Sequence, residues 1–462
     1  MEKIVLFGAS RRGKAYYNAH KNENIVYFFD NDSKKWGKDI EGIKIIEPAY
    51  LGDDYHVIII NYEHDIDMVH QLLTLGYVKF SVIFLIGQPE GILAFGIDTF
   101  DYSNYSDLCV DERKVVLISH MHSGSNTACF KYMIEEQLKD NYFKLISLDM
   151  RKKNHNFYYD IFTAKYILLE STFTNIKDKI IIQCWHGFPL KALGYMDKDV
   201  NDNAYELTHK EIINAKYILS CSKFYSLTLG ACFGVPKKRF LEIGMPKNDV
   251  LCLWGGQKLL NKKIPQTVGK KNILYMPTFR HKDRDGVQKG YIFNYPDFDK
   301  KKLSSFLKEN NCMLIIKAHL ADTKKFEYLR NSSDNIIFLD DDDFKDCDFY
   351  AYINGTDMLI TDYSSIFFDY LLLDKPIIFA HLDEKEYERD YGLLFDNLGF
   401  WCPGARIKSM EELKKEILDI INGNDCYQEK RRQMKQVVHG DYKPGDASRK
   451  LLDVMRREAG MS

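Results

Sequence analysis

Two histidines, a serine pair and an arginine stand directly after short apolar runs, where a strand would hand the chain to a loop. The first such loop is Gln183-Cys184-Trp185-His186-Gly187-Phe188-Pro189-Leu190-Lys191. An imidazole titrates near neutral pH, so His186, beside Gly187, can take a proton from an attacking hydroxyl. A histidine that merely caps a turn fits the same residues, and this segment alone does not choose. Lys191 closes the loop and is assigned with Gly187 to the same cleft.

The second loop, Thr361-Asp362-Tyr363-Ser364-Ser365, lies between an apolar strand and a helix expected over 366–373. A helix start presents unpaired backbone N–H groups and the positive end of the dipole, which suit a phosphate. Capping by Ser364 or Ser365 is the plainer role, and the two roles are compatible. His319 follows the strand expected at 313–317, and Arg280 ends Pro277-Thr278-Phe279-Arg280 after another strand. An imidazole and a planar guanidinium could both hold phosphate oxygens. Taken singly, each reads as an ordinary loop residue. The same holds for Pro246, Asn248 and Asp249 after the strand at 240–243, and for Gly445 and Ser448 before the last helix.

Those loops need a scaffold, and the order of apolar runs supplies one. Residues 4–7, Gly8-Ala9-Ser10-Arg11-Arg12-Gly13, a helix and a strand ending at Asp30 follow the order of a dinucleotide-binding βαβ unit. The middle glycine of that fingerprint is Ser10, so Gly8, Ser10, Gly13 and Asp30 point to a degenerate module with an assembly role rather than redox chemistry. The stretch 98–111 has no clear period and reads as a linker. Strands are expected at 114–118, 165–170, 180–183, 216–220 and 240–243, then at 272–277, 313–317, 336–339, 358–361 and 376–380. Helices are expected at 408–422 and 446–457. Strands alternating with helices predict mainly parallel sheets with ligands at their carboxyl ends. The expected domains are 1–105, 112–265 and 266–462.

A length of 462 residues suits about three domains. The net charge of -2 argues against a nucleic-acid partner. Ten cysteines without a CxxC pair suit neither a zinc site nor a disulfide framework, which leaves free thiols in a reducing cytosol. Asp340-Asp341-Asp342-Asp343 reads as a solvated turn rather than a metal site. No apolar run is long enough for a signal peptide or a membrane span, so membrane contact would be peripheral. The basic clusters at 237–239 and 430–432 read as solvated surface.

The series WHGFPLKALG (185–194), GMPKND (244–249), LYMPTFR (274–280), KAH (317–319) and DMLITDYSSIFFDYLLLDKPIIF (357–379) resembles the CDP-glycerol glycerophosphotransferases of teichoic acid synthesis. The resemblance covers about residues 115–457. It implies a GT-B fold preceded here by the small Rossmann-like domain. It further implies metal-independent transfer of a polyol phosphate, glycerol phosphate foremost, from a CDP-polyol to a polymer or lipid-linked primer, with no cofactor. By the same resemblance His186 matches the proposed base, and His319 with Asp362–Ser365 matches positions that engage the donor phosphates. Arg280 and 445–448 fall in further matching segments. The resemblance also implies a cytoplasmic enzyme, which an acceptor grown on a lipid carrier would place peripherally at the inner face of the bacterial plasma membrane. Phe188 stands where the family has threonine, Leu320 where proline is common, and Met245 and Lys247 where tyrosine and arginine are common. These departures bear on acceptor and polyol more than on reaction class. A GT-B glycosyltransferase using a nucleotide sugar, and a nucleotide-binding scaffold without activity, are the competing readings.

Overall fold

Runs of β-branched and aromatic residues bounded by glycine and polar turns build three sheets. The computed structural model describes residues 2–60, 65–87, 93–104, 108–119, 124–150, 153–170, 176, 178–197, 209, 212–253, 255–279, 291–319, 322, 326–330, 333–340, 343–344 and 348–461. Contacts gather the chain into two compact units: Met1–Val116 with Leu148–Ile167 and Thr174–Lys179, and Leu117–Ser147 with Leu168–Phe173 and Ile180–Ser462.

The first sheet has the order β3-β4-β2-β1-β5-β6-β7. Its strands are β1 (Lys3–Phe7), β2 (Ile25–Phe29), β3 (Asp39–Ile40), β4 (Ile43–Ile46), β5 (Tyr55–Ile59), β6 (Lys79–Gly87) and β7 (Leu93–Asp101). β1 pairs in parallel with β2 and β5. Gly13 is required by packing: a Cβ there would come 2.2 Å from the Gly8 carbonyl oxygen. The linker expected from 98 is wrong at its start, because β7 runs to Asp101 and pairs antiparallel with β6. On this strand Phe100 is buried and stacks on Phe80 at 5.6 Å, while Ile97 is exposed. An apolar residue facing out, with polar neighbours, hid the alternation.

The second sheet has the order β13-β12-β11-β10-β8-β9. It is built from β8 (Asp111–Ser119), β9 (Lys144–Asp149), β10 (Ala164–Leu169), β11 (Ile180–Gln183), β12 (Tyr217–Ser220) and β13 (Phe240–Glu242). The third has the order β16-β15-β14-β17-β18-β19, from β14 (Lys271–Met276), β15 (Cys312–Lys317), β16 (Ile336–Leu339), β17 (Met358–Thr361), β18 (Ile377–Ala380) and β19 (Ala405–Ile407). All its neighbours are parallel. Its order reverses between β14 and β17, which opens a crevice at their carboxyl ends. Ile273, Leu314, Ile316, Ile360 and Ile378 fill its core, each contributing about 1.5–3 kcal/mol by burial. Two Rossmann-like sheets preceded by a third small α/β module make the GT-B arrangement expected.

The chain's last helix, Ala447–Glu458, buries Leu451, Leu452, Val454 and Met455. Its start is capped from a distance. Asp249 Oδ1 accepts from Tyr442 Oη at 2.9 Å, Gly445 N at 2.8 Å and Ala447 N at 3.2 Å, and its Oδ2 accepts from Ser448 N at 2.7 Å. At the other end Glu458 accepts from Lys216 at 2.5 Å and from Tyr217. The nine described cysteines are thiols rather than disulfides, and Cys347 lies outside the described residues. Arg330 pairs with Asp340 at 2.5 Å and with Asp343 at 3.8 Å. Asp249→Ala would strip one buried acceptor from four donors. It should lower stability by about 2–4 kcal/mol in chemical denaturation; an unchanged midpoint would refute the cap.

Candidate active site

β11 is buried along its whole length, and the chain leaves it through a backbone that few side chains tolerate: Trp185 has φ +52. Gln183 Oε1 accepts from Trp185 N at 2.9 Å, and Asn126 Nδ2 donates to the Trp185 carbonyl at 2.8 Å. These bonds fix the turn that turns His186 outwards. The indole stacks on the imidazole with centroids 4.4 Å apart.

Loops after β14, β15 and β17 meet the β11 loop around a cavity of about 410 Å³. Trp185, His186, Gly187, Phe188, Lys191, Pro277, Thr278, Phe279, His319, Tyr363, Ser364 and Ser365 take part in its wall. The approach is close: a methyl group on Gly187 would lie 2.8 Å from Ser365 Oγ. Phe188 is buried and packs edge-on against Phe368 at 4.6 Å and stacks on Phe395 at 5.9 Å. The Phe188 ring therefore ties the His186 loop to the helix behind the serines.

His186 faces the cavity. Although the side chain is exposed to the cavity, desolvation by the loops around it, with Lys247 and Lys191 nearby, holds its pKa down at about 4 against an upward pull from the Glu170 carbonyl. Nδ1 lies 3.4 Å from that carbonyl oxygen. The imidazole is thus neutral at pH 7 and able to accept a proton. Glu170 itself is buried, and desolvation pushes its carboxyl up to about 7, although Thr127 N at 2.9 Å and Ser125 Oγ at 3.0 Å favour the charged form.

Asp362 is buried, and its Oδ1 accepts from Thr278 N at 2.8 Å, Thr278 Oγ1 at 2.6 Å and Tyr363 N at 2.7 Å. It holds two cavity loops together. Thr361, also buried, donates to the Met276 carbonyl at 2.7 Å for the same purpose. Ser364 and Ser365 are half-buried at the start of the Ile366–Tyr370 helix. His319 is exposed, with its ring 5.2 Å from that of Phe279. Arg280 lies outside the described residues.

Other expected residues sit elsewhere. Pro246, Asn248 and Asp249 are buried in the Pro246–Leu251 helix and do not line the cavity. The amides of Gly445 and Ser448 are occupied by Asp249, so that loop is a helix cap. In the other compact unit, Ser10 accepts from Gly13 N at 3.3 Å, and Asp30 accepts from Ala9 N at 2.9 Å and from Lys35 at 2.9 Å. Asp30 thereby ties the end of β2 to the loop that follows β1. Among the described residues no three His, Cys, Asp or Glu side chains converge as metal ligands, and no helix is long and apolar enough to cross a membrane.

The sequence reading named Lys247 only as a departure from the family pattern and missed Asp369, Tyr350 and Glu170. Lys247 Nζ donates to the His186 carbonyl at 2.7 Å and pairs with Asp369 at 2.6 Å, and Tyr350 Oη donates to the same Asp369 oxygen at 2.9 Å. The available signal was a lone acid inside Ile366-Phe367-Phe368-Asp369-Tyr370-Leu371: a carboxylate in so apolar a run has to find a partner.

Residues 1–83 match a family model described as C2185-like, N-terminal. The teichoic acid glycerol-phosphate primase of Bacillus subtilis (strain 168) is 29% identical over 303 residues, covering 63% of this chain and 71% of that protein. The teichoic acid poly(glycerol phosphate) polymerase of Bacillus spizizenii is 28% identical over 371 residues, covering 70% and 91%. A solved structure of the wall teichoic acid polymerase TagF superposes with a TM-score of 0.60 at 22% identity, over 76% of this chain and 90% of that one, and so shares the fold. Residues 105–456 match the model for CDP-glycerol:poly(glycerophosphate) glycerophosphotransferase. The chain belongs to this family, whose enzymes transfer a polyol phosphate from a CDP-polyol.

Proposed function

We propose that the chain moves glycerol phosphate from CDP-glycerol to a hydroxyl of a teichoic-acid-like polymer or its lipid-linked primer, with His186 as base. The observation that carries this reading is that one cavity is walled by the His186 imidazole on one side and by His319, Ser364 and Ser365 on the other. The acceptor oxygen attacks the β-phosphorus as its proton passes to His186. The new O–P bond forms as the bond to the bridging oxygen breaks, and CMP leaves. Amides and hydroxyls at Ser364 and Ser365, with His319, meet the charge on the diphosphate. Donors fixed in advance are the largest source of such catalysis, each worth about 3–4 kcal/mol. Asp362 and Thr361 act behind them as positioning residues. The donor then sits on the 266–462 lobe and the acceptor on the 112–265 lobe, at the membrane face where a lipid-linked primer resides. No metal enters the step, and the N-terminal module serves assembly.

His186→Ala should fold normally and cut CMP release at least about 100-fold; turnover near wild type would remove His186 as base. The same assay, run on CDP-glycerol, CDP-ribitol and UDP- and GDP-sugars with and without a chelator, should show turnover on the CDP-polyols alone and no chelator effect. Turnover of a nucleotide sugar would favour the glycosyltransferase reading. Because the free imidazole is held low, its base form persists below the ordinary histidine range. The acid limb of kcat/KM should therefore fall below about pH 5; a limb centred at 6.5 or above would contradict the assignment.

A further inference from the structure

Lys247 has no place in the reaction above, yet it touches the residue that takes the proton. Its side chain is 1% exposed and that of its partner Asp369 is 6% exposed. The ammonium donates to the His186 carbonyl at 2.7 Å, to Asp369 at 2.6 Å, and lies 3.5 Å from Tyr350 Oη. Four segments therefore meet at one nitrogen: the β11 loop, the Pro246–Leu251 helix, the Tyr350–Ile353 helix, and the Ile366–Tyr370 helix that follows Ser364-Ser365. Desolvating two charges this deeply is costly, and an apolar pair of the same volume often serves stability as well or better. Stability alone is a poor account of this pair.

We propose that Lys247 is a positioning residue for the transfer: by gripping the His186 carbonyl and Asp369 together, it sets the imidazole against the Ser364-Ser365 loop. This deepens the reading given above and rests on it. The contact is to the backbone of His186, so the loop's height in the cavity, rather than the ring's rotation, is what the ammonium governs. A second consequence follows from its charge. The ionisable groups around His186 are Lys191 in its own loop, Lys247 with its partner Asp369, Glu170, whose carbonyl oxygen lies 3.4 Å from the ring and whose carboxyl bonds to Ser125 and Thr127, and His319 in the wall of the same cavity. Lys247 and Lys191 oppose a proton on the ring, and the Glu170 carbonyl favours one. Deleting the ammonium removes an opposing charge and should raise the imidazole pKa.

The test compares Lys247→Met, Lys247→Arg, Asp369→Asn and the double variant Lys247→Met/Asp369→Asn in the full chain. Thermal midpoint, kcat, KM for CDP-glycerol and the pH dependence of kcat/KM are measured. Lys247→Met should lower kcat at least about tenfold, because misplacing a reacting group by a fraction of an ångström is enough, with KM changed less than about threefold. Its acid limb should move to higher pH. Lys247→Arg, which keeps charge and donors, should recover most of kcat. The double variant leaves no buried charge unpaired, so it should regain the wild-type midpoint while kcat stays low; it decides the matter should the single variants not fold. A double variant with wild-type kcat and acid limb would overturn the proposal and leave the pair purely structural. If His186→Ala is inactive in the same assay, that result sinks only the positioning role; if His186→Ala is active, the base assignment itself has failed.

Discussion

The buried pair between Lys247 and Asp369 sets the distance at which two halves of the site meet. One charge comes from the helix after β13 and the other from the helix after β17, and neither has water to fall back on. Removing one partner of such a pair typically costs about 3–5 kcal/mol, because the other stays buried and unpaired. Two further ties run the same way. Asp348 accepts from Gly124 N at 2.8 Å and Ser125 N at 3.1 Å, and Phe188 packs on Phe368. Charge, backbone bonding and apolar contact thus converge on one junction, and the cavity is the space they leave at the strand ends.

That junction also sorts the ionisable groups. His186 is crowded and flanked by two lysines, which keeps it a free base. Glu170, a few ångströms of backbone away, is pushed up by burial and serves the turn around Ser125 and Thr127. Asp362 accepts from the backbone and the hydroxyl of Thr278 on the neighbouring loop. Of these groups the imidazole is the one that lines the cavity, while the carboxylates hold the loops in place. An anionic donor would raise the imidazole pKa on binding, so proton affinity rises when the diphosphate arrives.

The sequence order of apolar runs was enough to read the parallel sheets and the loops at their carboxyl ends, since strand period and strand-end chemistry are local. His186, Gly187, Lys191, His319, Ser364 and Ser365 were legible for that reason, and they line one cavity. Asp249, Gly445 and Ser448 were legible as turn residues but not as partners, because 196 positions separate the carboxylate from the first amide it holds. Long-range pairing of this kind leaves no periodic mark. The same blindness hid Lys247 and Asp369, which lie 122 positions apart. β7 was lost for another reason: an edge strand with Ile97 facing outwards breaks the alternation that identifies strands.

The central claim is spatial: a base and a phosphate cradle share one cavity. A crystal structure of the protein with CDP-glycerol, grown without acceptor so that no transfer occurs, tests it most directly. The account predicts the diphosphate within hydrogen-bond reach of Ser364, Ser365 and His319, with the β-phosphorus open to an oxygen beside His186. A diphosphate bound away from those loops, or a β-phosphorus shielded from the imidazole by protein, would contradict it.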